Sequence, residues 1–117
     1  MNIDKKRYNT VLLPSLKREI KRINDKKQLE LILKAKEKIT ISGKDALKVL
    51  YVREKYMIGE IKYKKPPYRL YVIYDQKDET FYLAMWAHKK SQEKIIQRMK
   101  KGLENALEYG MEHIYES

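Results

Sequence analysis

The chain has 117 residues, of which 43% are apolar and 37% charged, so it is long enough to bury one hydrophobic core. It contains no cysteine and two histidines, which excludes a disulfide framework and a thiolate zinc site and argues against a histidine-built metal site or any other cofactor site. No apolar run approaches the roughly 18 residues that span a bilayer, and Met1 to Tyr8 is too polar for a signal peptide. We therefore expect a single cytoplasmic domain that does not contact membranes.

Charge is the strongest feature of the composition. A net charge of +11 predicts a polyanionic partner, because each lysine or arginine brought to a phosphate releases a condensed counterion. Residues 101–117 carry one lysine and four glutamates, so the positive charge is concentrated in the first 100 residues. The alternative is a lysine-rich surface that is only solvated, as in heat-adapted proteins.

The first third of the chain predicts a strand followed by a helical hairpin. Asn9 to Leu13 is a short apolar run, and Pro14 suits the first turn of a helix. Apolar residues then recur at helical spacing and predict a helix over about residues 15–24: Leu16, Ile20 and Ile23.

A second helix is predicted after Asn24 and Asp25, which can cap it. Its apolar stripe consists of Leu29, Ile32 and Leu33. Ile39 to Gly43 predicts a turn. The lysines and arginines at positions 17, 18, 21, 22, 26, 27, 34, 36 and 38 give the hairpin a basic outer face, which either contacts a polyanion or is only solvated.

The middle of the chain predicts a sheet. Asp45 to Glu54 suits either a helical turn or a buried strand, and both remain open. Strands are predicted at Tyr56 to Tyr63, Tyr68 to Tyr74 and Thr80 to His88. The bend before the second of them holds two consecutive prolines among the lysines 62, 64 and 65, so those lysines should be held in a defined place.

Alternation along these strands predicts a basic and aromatic face. If the strands pair antiparallel with strict period two, Arg69, Tyr71, Trp86 and His88 share one open face. Such a face could stack on bases and neutralise phosphates. The alternative is that Trp86 belongs to the core, as aromatic residues on strands usually do.

A final helix is predicted to start at Ser91, which can cap it, and to end near Gly110. Its apolar stripe consists of Ile95, Ile96, Met99, Leu103, Ala106 and Leu107. Its polar side begins with cations, among them Lys94. The predicted fold is α+β: an N-terminal strand and helical hairpin packed on a small, mainly antiparallel sheet, with a C-terminal helix.

The order of these pieces resembles the RelE/HigB/ParE toxin superfamily, in its HigB-like or phage-derived branch. The resemblance lies in a strand that runs into a helix at Val11 to Ile20, the arginine-bearing strand Tyr68 to Tyr74, and a strand that ends in Ala87-His88-Lys89-Lys90-Ser91-Gln92 before a C-terminal helix. It covers most of the chain. It implies a RelE-like fold and a metal-independent endoribonuclease that cleaves mRNA, on the ribosome or free, and that a cognate antitoxin neutralises.

The resemblance also assigns residues. In such enzymes the 2′-hydroxyl attacks the neighbouring phosphate, which requires a proton acceptor, cations for the pentacovalent phosphate and a proton donor for the leaving oxygen. Arg69 would bind the scissile phosphate, and His88, Lys89 and Lys90 would complete the catalytic set, with His88 as the proton carrier. Lys62 and Lys64 fall where the family often places basic residues. Together with the residues predicted from the basic and aromatic surfaces, they would contact nucleic acid: Lys65, Tyr71, Trp86 and Lys94. His88 could instead be an ordinary surface histidine, and Arg69 could serve only as the partner of a carboxylate such as Glu60.

One departure from the family bears on catalysis. Several RelE-type enzymes have a tyrosine shortly after the last basic strand residues, whereas residues 91–97 contain none. ParE-like members of the same fold inhibit a topoisomerase, so the fold does not determine the activity. The alternatives are therefore a non-catalytic nucleic-acid-binding protein of viral or mobile-element type, a topoisomerase inhibitor, and an interaction protein for an acidic partner.

Overall fold

The computed structural model describes residues 7–115, so the chain's first six residues and its last two lie outside the described range. The elements in chain order are β1 (Asn9–Leu12), α1 (Pro14–Arg22), α2 (Lys26–Ser42), β2 (Lys48–Arg53), β3 (Tyr56–Lys62), β4 (Tyr68–Asp75), β5 (Thr80–His88) and α3 (Gln92–Tyr109). Short 3-10 turns follow α2, β5 and α3. No helix within residues 7–115 is long and apolar enough to cross a membrane.

The strands form one sheet in the order β1-β5-β4-β3-β2. β2 to β5 form an antiparallel meander, and β1 adds to β5 in parallel. The sheet is thus mainly antiparallel, with an N-terminal strand and helical hairpin and a C-terminal helix. The predicted α+β fold class is confirmed.

Helices cover both faces of the sheet. On the face that we call the hairpin face, α1 and α2 bury Leu16, Ile32, Ala35 and Ile39 against Leu70, Val72, Phe81 and Leu83. On the opposite face, the α3 face, helix α3 buries Ile95, Met99, Leu103 and Ala106 against Ile58, Tyr71 and Ile73. Two separate apolar cores result, and the central strands β3 and β4 are buried over most of their length.

Helix α2 is longer than predicted. The predicted turn at Ile39 to Gly43 is wrong, because α2 continues to Ser42 and ends at Gly43, whose φ of +61° favours glycine. Ile39 is fully buried, so packing on the sheet overrides the weak helix propensity of the β-branched run. Asp25 caps the helix as expected, accepting a hydrogen bond from the Lys27 N–H. Leu33, however, is 66% exposed and does not belong to the core stripe.

The segment Asp45 to Glu54, for which the sequence allowed either a helical turn or a strand, divides into two parts. Gly43–Ala46 forms a 3-10 turn, and Lys48–Arg53 forms the edge strand β2.

The start of α3 differs in part from the prediction. Ser91 occupies the N-cap position of α3 but makes no capping hydrogen bond through its side chain. A 3-10 turn at Lys89–Ser91 precedes α3, and α3 ends before Gly110 as predicted.

A bulge in β5 interrupts the alternation of its side chains. The β4–β5 register shifts between Tyr71 and Val72, which leaves Ala84 as an extra residue on β5. Beyond the bulge, Trp86 pairs with Leu70 and joins the core of the hairpin face. Strict period two had placed Trp86 on the other face of the sheet, so the bulge determines where the second half of β5 points.

Candidate nucleic-acid interface

A cleft of about 520 Å³ opens where the β3–β4 bend meets the end of β5. We call it the cationic cleft, and its lining residues are Lys62, Tyr63, Lys64, Pro67, Arg69 and Lys89. Lys62 lies directly opposite Arg69 in the β3–β4 register. The Lys89 N–H donates a 2.9 Å hydrogen bond to the Pro67 carbonyl, which ties the bend to the end of β5. The fold thus brings together four of the cations predicted from the sequence.

The charges of the cleft are unbalanced. Its lining includes four cationic side chains and no carboxylate. Residues directly opposite on antiparallel strands have Cβ atoms about 5 Å apart, at which like charges destabilise the pair. Lys62 therefore has a like-charged neighbour in Arg69, and an anion in the cleft would reduce the repulsion between them. This arrangement is suited to binding phosphate groups.

Arg69 is anchored behind the cleft. Its Nη1 donates a hydrogen bond to Gln92 Oε1 and lies 3.5 Å from Glu60 Oε1. Gln92 Nε2 in turn donates to Glu60 Oε1 at 3.3 Å, so the three side chains form a closed network. The Glu60 side chain is 1% exposed and that of Arg69 is 19% exposed. Glu60 and Arg69 therefore meet across adjacent strands, which engages part of the guanidinium and counts against a catalytic role, although Arg69 also lines the cleft.

Tyr71 lies beneath this network and not on an open surface. Its side chain is fully buried on the α3 face, and among the described residues no group meets its hydroxyl with hydrogen-bond geometry, although the Arg69 guanidinium lies close enough to act on it. Burial raises the pKa of Tyr71, the nearby Glu60 carboxylate raises it further, and Arg69 opposes the shift. The prediction that Tyr71 contacts nucleic acid is wrong, because no part of its side chain is accessible.

Removing this hydroxyl should not destabilise the protein. A buried hydroxyl without a partner costs about 1–3 kcal/mol of desolvation, so Tyr71→Phe should leave the free energy of unfolding unchanged or raise it by about 1 kcal/mol. Urea unfolding followed by circular dichroism measures the effect. Tyr63→Phe is the matched control, since the Tyr63 hydroxyl donates to the Leu31 carbonyl at 3.3 Å and its loss should destabilise. A loss of stability in Tyr71→Phe would contradict the assignment.

Trp86 also belongs to the core. It is 3% exposed, its ring stacks on Tyr68 with centroids 5.4 Å apart, and its indole N–H donates to Gln28 Oε1 at 2.9 Å. The indole thus has a polar partner within the protein and no free face for a base. The predicted open face of Arg69, Tyr71, Trp86 and His88 is wrong, because the bulge in β5 separates its members onto opposite sides of the sheet.

The remaining predicted site residues lie around the cleft without lining it. His88 pairs with Tyr68, and its ring meets the Tyr68 ring edge-on at 5.5 Å on the hairpin face, while its Nδ1 accepts the Lys90 N–H at 3.1 Å. Lys65, Lys90 and Lys94 are exposed on the bend, on the turn after β5 and in the first turns of α3. The fold therefore does not bring His88 together with Arg69.

Sequence reasoning missed Gln92 as a site residue. It is the first residue of α3, and it follows the basic end of β5 closely enough to reach back to Arg69. The available signal was its place directly after the run His88 to Ser91, where a helix start was predicted. Within residues 7–115, no group of three or more histidine or acidic side chains is arranged to hold a metal ion.

Comparisons of the chain with protein-family models, with curated proteins and with solved structures give no match.

Proposed function

We propose that this protein binds RNA in the cationic cleft and cleaves it there as a metal-independent endoribonuclease, in the manner of a toxin held in check by an antitoxin. The observation that carries the proposal is the convergence of Lys62, Lys64, Arg69 and Lys89 on one recess without a carboxylate among the lining residues. A phosphodiester backbone supplies the negative charge that such a recess lacks. An acidic antitoxin segment would compete for the same cations.

The cations of the cleft would supply two of the functions that this chemistry requires. The 2′-hydroxyl of the bound nucleotide gives its proton to solvent water as it attacks the neighbouring phosphorus, the bond to the 5′-oxygen breaks, and a 2′,3′-cyclic phosphate and a 5′-hydroxyl form. Arg69 and Lys62 lie side by side and stabilise the extra negative charge of the pentacovalent phosphate. A protonated lysine of the cleft donates the proton that the leaving 5′-oxygen needs. His88 takes no part in this scheme, because it lies on the hairpin face.

The position of His88 favours a second candidate function. Without a histidine in the cleft, the same cations serve a protein that binds single-stranded nucleic acid and leaves it intact. The two candidates share the interface and differ in whether the bound RNA is cut.

A charge-matched comparison tests the interface. Lys62, Lys64 and Lys89 are replaced together by alanine, and the control protein carries alanine at the exposed lysines 26, 34 and 38 of α2. Affinity for a short fluorescent single-stranded RNA is measured over a salt series by anisotropy. The cleft variant should lose about 2 units of the slope of log affinity against log salt, since each lost phosphate contact removes about 0.7. The control should keep its slope, and equal losses in both proteins would overturn the assignment of the cleft.

Cleavage is tested on the same RNA and on mRNA, with and without translating ribosomes. The expected products carry a 5′-hydroxyl and form without added metal. If the wild type binds RNA through the cleft but leaves every message intact, and growing cells tolerate its induction, the non-catalytic function holds and the endoribonuclease proposal fails.

A further inference from the structure

The hydrogen bond to Gln92 and the ion pair with Glu60 use the same nitrogen of Arg69. Nη1 meets Gln92 Oε1 and Glu60 Oε1, and Arg69 is also one of the residues that line the cleft. A guanidinium carries five N–H donors in a planar fork. The donors on Nε and Nη2 take no part in the contacts with Gln92 and Glu60, and besides the nearby Tyr71 hydroxyl they can meet a ligand in the cleft.

Gln92 uses both ends of its amide in this anchor. Its oxygen accepts from Arg69 and its nitrogen donates to Glu60, so it links a cation to a buried anion. Neither a carboxylate nor an apolar side chain could make both contacts. Gln92 begins α3, whose buried residues fix it on the sheet, so the anchor is attached to a rigid element. The anchor thus spans β3, β4 and α3.

We propose that Gln92 is a positioning residue: together with Glu60 it holds the Arg69 guanidinium so that its free edge engages a phosphate of the nucleic acid through two parallel hydrogen bonds. This inference rests on the proposed binding of nucleic acid in the cleft and deepens it. A guanidinium held in place loses less freedom on binding than a mobile one, and a bidentate contact gives orientation as well as charge. Gln92 itself carries no charge, so its contribution is one of geometry.

Variants of Gln92 test the orientation of Arg69 without changing the charge of the cleft. Gln92→Ala should weaken affinity for the short single-stranded RNA about tenfold, equal to about 1.4 kcal/mol, while the salt slope stays at the wild-type value because no cation is lost. Gln92→Met, which keeps the length of the side chain but cannot bridge, should behave the same way. Gln97→Ala is the matched control, since Gln97 is an exposed glutamine on the same helix. Circular dichroism confirms that each variant is folded at the temperature of the assay.

The same Gln92 substitution made in an Arg69→Lys protein shows whether Gln92 acts through Arg69. Lysine is a point charge without a fork, so in an Arg69→Lys protein the further change Gln92→Ala should alter affinity by no more than about twofold. A purely structural role for Gln92 would reduce affinity equally in both backgrounds.

The outcomes are distinct. If Gln92→Ala and Gln92→Met bind RNA as the wild type does, or weaken binding equally in the Arg69→Lys background, the positioning role is overturned and the cleft remains the interface. If the wild type and the cleft-lysine triple variant bind RNA equally, the proposed function fails, and the role of Gln92 fails with it.

Discussion

Replacing Arg69 with alanine should destabilise the folded protein by about 3 kcal/mol as well as remove RNA binding, because it leaves the Glu60 carboxylate buried without its cationic partner. The Glu60 side chain is 1% exposed, and its polar partners are Arg69 and Gln92, so the loss of Arg69 removes its only cationic partner among the described residues. For a domain whose total stability is about 5–15 kcal/mol, this loss is large. Urea unfolding followed by circular dichroism measures it.

Because Arg69→Ala is expected to be less stable, that variant alone cannot test the role of Arg69 in binding or cleaving RNA. A loss of activity in that variant could result from unfolding, so the informative protein is Arg69→Ala combined with Glu60→Gln. Removing the buried charge together with its partner should restore more than half of the lost stability, since an amide at position 60 can still accept the Gln92 N–H. RNA binding and cleavage should remain absent in the double variant. Arg69→Lys, which keeps a positive charge beside Glu60, should fold normally and bind RNA more weakly.

Two results would contradict this account. If Arg69→Ala alone is as stable as the wild type, Glu60 does not depend on Arg69. If the double variant regains RNA binding along with its stability, Arg69 serves only as the partner of Glu60 and has no role towards the ligand.

Replacing Trp86 with alanine should lower the free energy of unfolding by about 4 kcal/mol, because it removes a large buried ring from the core of the hairpin face. The stack on Tyr68 and the hydrogen bond to Gln28 are lost with it. Urea unfolding again provides the measurement. Val52→Ala is a control at a site where the apolar side chain is 52% exposed, and its effect should be small.

Trp86 also reports on where RNA binds. It is the single tryptophan of the chain, so its emission should be that of a buried indole and should not change when RNA fills the cleft. Trp86→Phe should bind RNA within about twofold of the wild type, whereas a ring that stacks on a base contributes roughly 1–3 kcal/mol. Strong quenching of Trp86 by RNA would place the interface on the hairpin face instead.

The sequence was sufficient for the positions of most elements. Helical spacing located α1 and α3, and alternation with turn residues located β3, β4 and β5, because these signals are local. It failed where packing decided the outcome. The β-branched run at Ile39 stays helical because the sheet buries it, and Leu33 lies outside the core although its spacing fits the stripe.

The site was predictable in part for the same reason. Lys62, Lys64, Arg69 and Lys89 flank one bend and one strand end, so their convergence follows from a hairpin and its neighbour. The face of Trp86 and His88 was not predictable, because a single extra residue at Ala84 reverses the alternation and leaves no sign in the local pattern. The sequence suggested that Glu60 and Arg69 could meet, but their contact depends on the β3–β4 register, which only the folded sheet defines.

The parallel pairing of β1 with β5 has a consequence for the order of folding. Asn9 pairs with Thr80, a partner far along the chain, whereas the pairs β2–β3, β3–β4 and β4–β5 each join strands that are consecutive in sequence. Closing the longer loop costs more chain entropy, so we expect the meander to form first and β1 to dock afterwards. The cationic cleft and its anchor lie within residues 60–92, inside the part of the chain that assembles locally. We therefore expect the strands that carry the cationic cleft to pair before β1 completes the sheet.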